Sequence, residues 1–276
     1  MNRLFGNDTR VLFFDLDGCI YFGRTLADRA NDLLRLLRES GLRFGFITNN
    51  SRESAAEIRG KLTDMGLELG EELIVSATEA IAVYLAERYG SVSVKVAGSE
   101  SLSFALAEHD HRVLAWEEAT LADTVVIGRD TEFDYERLQQ IVNEVLKGAR
   151  IVSTNPDTSH PGEGGKLIPE TGALLAAVEA VVGTAAVEII CIGKPHGWLY
   201  ELAMKWSGVS PAECIMVGDN LITDIAGADK AGIKSVWIRH SDYAMPVSPP
   251  IVPTITVNKL SELYDLIVAE QCLKRG

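Results

Sequence analysis

Two carboxylates stand two residues apart directly after an apolar run in the sequence. Residues 11–14 are apolar, and Asp15, Asp17 and Gly18 follow. In an extended chain, residues i and i+2 point to the same side, so the two carboxylates would share one small space. Gly18 would let the backbone turn sharply behind them. Asp and Gly are also ordinary turn residues, and on this stretch alone a turn explains the pattern equally well.

Three later apolar runs also end at polar side chains. Runs of this kind are typical of buried strands in parallel sheets, although periodicity alone leaves a buried helical turn open. The carboxyl ends of such strands line the crevice in which open α/β sheets bind ligands, so the polar groups are expected to meet there. The groups are Thr48, Asn49 and Asn50 after residues 44–47, Lys194 after 189–193, and Asp219 and Asn220, with Asp224 beyond, after 215–218.

The gathered charges predict a metal-assisted phosphate site. Asp15, Asp17 and Asp219 would repel one another at this edge unless a cation lay among them. A hard ion held by a few carboxylates, ligand phosphate and water describes Mg²⁺. Lys194 would supply a fixed positive charge and Thr48 a hydrogen-bond donor, which suits a phosphate group.

The order and spacing of four motifs resemble the haloacid dehalogenase superfamily of phosphohydrolases. The motifs are DLDG at 15–18, TNN at 48–50, GKP at 193–195 and GDNLITD at 218–224. With TNPD at 154–157, the chain is most similar to the capped type IIA branch of p-nitrophenyl, pyridoxal and phosphoglycolate phosphatases. The resemblance covers nearly the whole chain. It implies an α/β fold: a Rossmann-like parallel-sheet core with helices on both faces, plus an inserted α/β cap domain.

The resemblance also implies a mechanism, Mg²⁺-dependent hydrolysis of phosphate monoesters through an aspartyl phosphate. Asp15 would be the nucleophile, and Asp17 would protonate the leaving oxygen and then activate water. The implied Mg²⁺ ligands are the Asp15 carboxylate, the Asp17 backbone carbonyl and Asp219. Phosphate binding is the predicted role of Thr48, Asn49, Asn50 and Lys194. Asn220 and Asp224 are predicted to lie next to these residues and to orient them or a metal-bound water, with helix capping as the alternative role for Asp224.

The gap between Asn50 and Lys194 is far longer than one crossover connection needs, which predicts an inserted domain. We expect a catalytic core of 1–77 and 184–276, resuming with a strand at 188–192, and a cap of 78–183 with alternating strands and helices. Residues 154–169 are rich in Gly and Pro and are predicted to form a long functional loop. In that loop, Asp157 and His160 are expected to bind the leaving group of the substrate.

Composition excludes several classes of partner. The 276 residues carry a formal charge of −13, which argues against nucleic-acid and anionic membrane surfaces and leaves small phosphorylated metabolites as substrates. The four cysteines lack CxxC spacing and no secretory signal is visible, so a cytoplasmic location is expected. The apolar stretch 173–192 is interrupted by Glu179 and Glu188, which disfavours a membrane span.

Other classes share parts of this pattern. A response-regulator receiver is a phospho-acceptor signalling module with clustered Asp, Thr and Lys-Pro, but this chain is too long for one. A phosphotransferase or mutase of the same superfamily would carry the same motif residues, although a cap of this type makes it the weaker alternative. The resemblance also implies a homodimer through the cap as an option, and the sequence decides neither this nor which metabolite is the substrate.

Overall fold

The computed structural model describes residues 8–162, 166–183, 188–240 and 251–275. The chain divides into two compact units. The first unit comprises Met1–Thr48, Arg59–Val75 and Pro195–Gly276, and the second comprises Asn49–Ile58 and Ser76–Lys194. Each unit contains its own parallel sheet.

The secondary-structure elements are numbered in chain order. The strands are β1 Val11–Phe14, β2 Tyr21–Phe22, β3 Thr25–Leu26, β4 Arg43–Thr48, β5 Leu73–Ser76, β6 Ser93–Ala97, β7 Arg112–Val113, β8 Thr124–Ile127, β9 Arg150–Ser153, β10 Ser159–Pro161, β11 Leu167–Pro169, β12 Ile189–Cys191, β13 Cys214–Gly218, β14 Lys234–Ile238 and β15 Ile255–Val257. The helices are α1 Ala30–Glu39, α2 Ala55–Asp64, α3 Ala77–Tyr89, α4 Glu100–Glu108, α5 Tyr135–Leu146, α6 Thr171–Val182, α7 Trp198–Ser207, α8 Ala226–Lys230 and α9 Leu260–Arg275. A 3₁₀ turn covers Pro211–Glu213 and a π-helical turn covers Leu221–Ile225.

The first sheet has the strand order β15-β14-β13-β1-β4-β5. Strand β1 lies in its middle and pairs in parallel with β13 on one side and β4 on the other. All four residues of β1 are buried, which explains why its sequence is continuously apolar rather than alternating. The predicted α/β class, a parallel-sheet core flanked by helices, is confirmed.

Helices begin and end at residues that the sequence marks. The predicted crossover helix is α1, which buries Ala30, Leu33, Leu34 and Leu37 on one face. Gly41 follows it with φ of 70°, a conformation that glycine adopts without strain. Helix α2 starts with a capping box, because the Glu57 N–H donates to Ser54 Oγ and the Glu57 carboxylate accepts from the Ser54 N–H.

The second sheet has the order β12-β9-β8-β6-β7, and its four neighbouring strand pairs are all parallel. Its core packs β8 and β9 against α5 and α6 through buried side chains that include Val125, Ile151 and Val178. A buried ion pair supports the same unit, since Lys95 Nζ lies 2.9 Å from the Glu144 carboxylate. Lys95 also donates to the Glu118 carbonyl, so more than one acceptor compensates its desolvation.

Two expectations from the sequence need correction. The strand near 188–192 was expected to open the return to the catalytic core, but β12 pairs with β9 and belongs to the second sheet. The predicted loop 154–169 contains an antiparallel hairpin, β10 paired with β11. Residues 163–165 of that stretch, and 184–187 beside the predicted boundary at 183/184, lie outside the described residues.

Among the residues that the structure describes, no helix combines the length and apolar character needed to cross a membrane. The apolar stretch 173–192 is divided between α6 and β12, in agreement with the prediction that it does not form one span.

Candidate active site

Asp15 lies at the carboxyl end of the central strand of the first sheet. Its backbone N–H donates to the Val217 carbonyl at 2.8 Å, so the ladder between β1 and β13 continues one residue past the strand. The residue is 8% exposed. Asp15 is therefore a nearly buried carboxylate whose backbone is fixed by the sheet itself.

Asp219 and Asp224 follow β13, and a wide turn places the second of them. The Asn220 side chain accepts hydrogen bonds from the Ile222 and Thr223 N–H groups at the start of the π-helical turn. The Asn220 N–H donates in return to Asp224 Oδ2 at 3.0 Å. Of the two roles left open for Asp224, helix capping is thus performed by its neighbour Asn220.

Carboxylate oxygens of Asp15, Asp219 and Asp224 lie within 4.8 Å of one another. Asp15 and Asp224 are buried, and Asp219 is partly exposed. The sequence predicts Asp15 and Asp219 as metal ligands and Asp224 as a residue that orients a ligand. The structure brings all three together in one group.

Two glycines make this close approach feasible. A Cβ on Gly18 would lie 2.8 Å from Asp219 Cγ, and a Cβ on Gly218 would lie 2.5 Å from Asp224 Cβ. Gly18 also has φ of 78°, which other residues adopt only with strain. Each motif therefore carries a glycine where a side chain would occupy the space of an acidic neighbour.

The donor set fits a hard divalent cation. Three carboxylates crowded into a largely buried space repel one another, and a cation among them removes that repulsion. Mg²⁺ prefers oxygen ligands and is usually bound by one or two carboxylates together with water and phosphate oxygens. The residues present therefore fit the Mg²⁺ that the sequence predicts.

Asp17 is placed differently from these three carboxylates. Its side chain is exposed, and Asp17 Oδ2 accepts a hydrogen bond from the Tyr21 hydroxyl at 2.7 Å. Such a group can reach solvent and substrate while one of its oxygens is held. Its predicted metal contact through the backbone carbonyl stays a prediction.

Thr48 is the last residue of β4, the strand next to β1, and is buried. It therefore ends a strand at the same edge of the first sheet as Asp15. This agrees with the expected placement, and its role in phosphate binding stays a prediction.

In the second unit, the Asn49 side chain binds the backbone of Lys194 twice. The Lys194 N–H donates to Asn49 Oδ1 at 2.8 Å, and Asn49 Nδ2 donates to the Lys194 carbonyl at 3.0 Å. The side-chain amide thus pairs with a backbone amide as a neighbouring strand would. Lys194 is 2% exposed, so its backbone is held in a buried position.

Two further residues complete this arrangement, which we call the Asn49 network (Asn49, Asn155, Asp157 and Lys194). Asn155 Nδ2 donates to the Asn49 carbonyl at 2.8 Å, and its Oδ1 accepts from the Asp157 N–H at 3.1 Å. The Asp157 carboxylate accepts from Asn49 Nδ2 at 2.9 Å. Asp157, predicted to bind substrate, is therefore linked to the residue that holds Lys194.

The other two predicted residues of the second unit make local contacts. The Asn50 side chain accepts from the Arg52 and Glu53 N–H groups, both at 2.9 Å, and so shapes the turn before α2. His160 Nδ1 lies 2.7 Å from a Glu170 carboxylate oxygen, which Arg129 approaches at 3.2 Å. Burial raises the pKa of Glu170 above its usual value, against the opposing effect of these two neighbours.

Sequence reasoning missed two participants, Tyr21 and Asn155. Tyr21 comes four residues after Asp17, and only the observed turn reveals that its hydroxyl returns to that carboxylate. Asn155 lies in the TNPD motif two residues before Asp157, a spacing typical of Asx turns, and this signal could have identified it.

Family comparisons match both ends of the chain. Residues 12–112 match the model of a haloacid dehalogenase-like hydrolase, and residues 191–263 match a related hydrolase-like model of that group. Among curated proteins, a 5′-nucleotidase of Bacillus subtilis is 33% identical over 81% of this chain and 84% of its own. An acid sugar phosphatase of Staphylococcus aureus is 32% identical over 83% and 86%.

Solved structures give the same relationship. A 4-nitrophenylphosphatase of Thermotoga maritima superposes with a TM-score of 0.82 and 28% identity, covering 94% of this chain and 97% of that chain. A p-nitrophenyl phosphatase of Archaeoglobus fulgidus superposes with the same TM-score and 26% identity, covering 95% and 99%. The likeness therefore extends over both units and not only over the motifs.

Proposed function

We propose a function for this chain on the basis that it belongs to the haloacid dehalogenase-like hydrolases. It is a phosphatase that acts on small phosphate monoesters, as the nucleotidase and phosphatases named among its relatives do. The observation that carries the proposal is the meeting of Asp15, Asp219 and Asp224 at the carboxyl edge of the central strands. That edge is where open α/β sheets bind ligands.

The finer proposal is hydrolysis through a covalent phospho-enzyme. Asp15 attacks the phosphorus in line, so that a bond forms between its carboxylate oxygen and phosphorus while the bond to the alcohol oxygen breaks. Asp17 gives a proton to the departing oxygen. It then takes a proton from the water that attacks the phospho-enzyme, which releases phosphate and regenerates Asp15.

Asp15, Asp219 and Asp224, with the Asp17 carbonyl, would hold Mg²⁺. The ion would neutralise the carboxylates and the incoming phosphate and so lower the cost of bringing like charges together. We assign Thr48 and Lys194 to the phosphoryl oxygens, since a hydroxyl donor and an ammonium group stabilise a transferring phosphoryl group. The Asn49 network supports this role of Lys194 by fixing its backbone.

The test is phosphate release from p-nitrophenyl phosphate and from a panel of nucleotides, sugar phosphates and other metabolites. We expect release in Mg²⁺ and its loss in excess chelator. An independent readout is Mg²⁺-dependent thermal stabilisation, which should weaken in Asp224→Asn because a bound ion stabilises only the form that holds it. Undiminished turnover in chelator, or no release from any phosphomonoester in Mg²⁺, would contradict the proposal. Transfer of the phosphate to a second alcohol instead of water would indicate a phosphotransferase.

A further inference from the structure

We propose that Tyr21 and Lys61 are positioning residues for the proton-transfer step. Together they hold the Asp17 carboxylate in one orientation through a chain of hydrogen bonds from Lys61 to Tyr21 to Asp17. The inference rests on the proposed phosphatase function and deepens it. All three residues belong to the first unit.

Asp17 needs an external restraint because its side chain is exposed. An exposed aspartate exchanges between rotamers, and a proton donor that points the wrong way contributes nothing to the reaction. Tyr21 is 3% exposed, and its hydroxyl donates to Asp17 Oδ2 at 2.7 Å. A buried, rigid ring therefore fixes one oxygen of a solvent-facing carboxylate, and Oδ1 is assigned to carry the proton.

The backbone between the two residues fixes their separation. The Leu16 carbonyl accepts from the N–H groups of Ile20 at 2.9 Å and of Tyr21 at 3.2 Å, and the Gly18 N–H donates to the Tyr21 carbonyl at 2.9 Å. Asp17 and Tyr21 also form an isolated β-bridge. The hydrogen bond between the two side chains thus closes a turn whose backbone is already tied.

Lys61 sets the direction of the Tyr21 hydrogen bond. Its Nζ lies 3.4 Å from the Tyr21 hydroxyl oxygen and 5.1 Å from the centre of the ring. An ammonium group has only donors, so the hydroxyl oxygen accepts from Lys61 and its single proton is directed to Asp17. The charge of Lys61 also polarises the hydroxyl, which strengthens it as a donor.

The experiment compares two leaving groups in Tyr21→Phe, a change that removes the hydroxyl and keeps the buried ring. p-Nitrophenolate departs readily without a proton, whereas the alkoxide of glycerol phosphate needs one. We expect kcat/KM for glycerol phosphate to fall about tenfold or more, and that for p-nitrophenyl phosphate by less than about threefold. Lys61→Met should show a smaller loss in the same direction. The matched control is Tyr264→Phe, on α9 of the same unit, for which both substrates should be unaffected.

A second measurement separates positioning from a general structural effect. In an Asp17→Asn background the proton donor is already absent, so adding Tyr21→Phe should cause no further loss on glycerol phosphate. Equal losses on both substrates in Tyr21→Phe, or a full additional loss in the Asp17→Asn background, would overturn the positioning role. Either result would leave the proposed function intact, because that function is tested separately, by phosphate release from the wild-type protein in Mg²⁺ and its loss in chelator.

Discussion

The two parallel sheets of this protein deliver polar groups in different ways. In the first unit, Asp15 and Asp219 come directly after β1 and β13, so the sheet itself sets their separation. In the second unit, the Asn49 network is assembled from segments that are distant in sequence and joined by side-chain hydrogen bonds. Strand ends, together with the π-helical turn that places Asp224, thus produce a rigid acidic group (Asp15, Asp219 and Asp224), whereas loops produce a set of contacts that can be altered one at a time.

This difference has a physical origin. The end of a central strand is fixed by backbone hydrogen bonds to the strands on both sides, and many such bonds act cooperatively. The backbone of Lys194, in contrast, makes two hydrogen bonds to a single side-chain amide, that of Asn49. Substitutions at the acidic group should therefore affect every substrate, and those in the second unit should give graded effects.

The largest expected effect is the loss of turnover in Asp15→Asn. A carboxamide is a poor nucleophile, and kcat should fall by about 10⁴-fold or more on every substrate, because removal of a nucleophile typically has effects of this size. The measurement is phosphate release, with circular dichroism to show that the fold is kept. Beryllium fluoride, a mimic of the bound phosphoryl group, should protect the peptide that contains Asp15 from hydrogen exchange in the wild-type protein. Near-normal turnover of the variant would contradict the covalent mechanism.

Gly218→Ala tests whether the acidic group tolerates any displacement. The new Cβ would lie 2.5 Å from Asp224 Cβ, so the Asp224 carboxyl group must move. A misplacement of about 1 Å near a reacting centre can lower the rate about 100-fold, and we expect a loss of that order together with a higher Mg²⁺ requirement.

The control for that variant is Gly60→Ala, an exposed helical position in α2 where a Cβ would meet nothing within 4 Å. Alanine is favoured over glycine in a helix by up to about 1 kcal/mol, so this variant should be as active and slightly more stable. A Gly218→Ala protein with wild-type Mg²⁺ dependence would show that the position of Asp224 is not critical.

The same difference explains what the sequence could and could not predict. Residues at strand ends are predictable because an apolar run, a polar residue and a glycine stand together, as at Asp15 and Asp219. Side-chain partners are not predictable in this way: the Tyr21 hydroxyl reaches Asp17 only through the observed turn, and nothing in the sequence pairs Asn155 with the distant Asn49 carbonyl. The prediction that β12 belongs to the catalytic core was wrong for a related reason. A short apolar strand suits either parallel sheet, and only the observed pairing with β9 shows which sheet β12 joins.

The next largest expected effect is on kcat/KM, and it should differ between alanine variants of His160 and Asp157. From the sequence, alanine at either position is expected to reduce kcat/KM more for the best metabolite than for p-nitrophenyl phosphate. We keep that expectation for His160→Ala, with a difference of about tenfold, since one hydrogen bond contributes about 1–3 kcal/mol only to the substrate that makes it. For Asp157→Ala the hydrogen bond to Asn49 leads us to expect similar losses on both substrates. A selective loss in Asp157→Ala would restore the original assignment, and unchanged kinetics in His160→Ala would place that residue outside substrate recognition.

The smallest expected effect is a change in stability on substitution of Glu213, which precedes β13 at the opposite end of the first sheet. Its carboxylate accepts hydrogen bonds from the Ser210 N–H at 2.9 Å and the Ser210 hydroxyl at 2.8 Å, and lies 3.1 Å from an Arg10 nitrogen just before β1. These contacts, the bond from the Ser210 N–H first, lower the pKa of Glu213 from 4.5 to about 2.

A carboxylate with a lowered pKa stabilises the fold only while it is charged. At pH 7 Glu213 is ionised in both states and its contribution is fully present, whereas below 4.5 the unfolded chain binds the proton first and the contribution declines until about 2. Glu213→Gln should therefore lower the melting temperature modestly at pH 7 and by progressively less between pH 4.5 and 2, with kcat unchanged at neutral pH. A difference in melting temperature that stays constant over that pH range would show that the charge of Glu213 is not what stabilises this end of the sheet. A loss of kcat would mean that the two ends of β13 are mechanically coupled, so that the rigidity of the acidic group depends on contacts a full strand away.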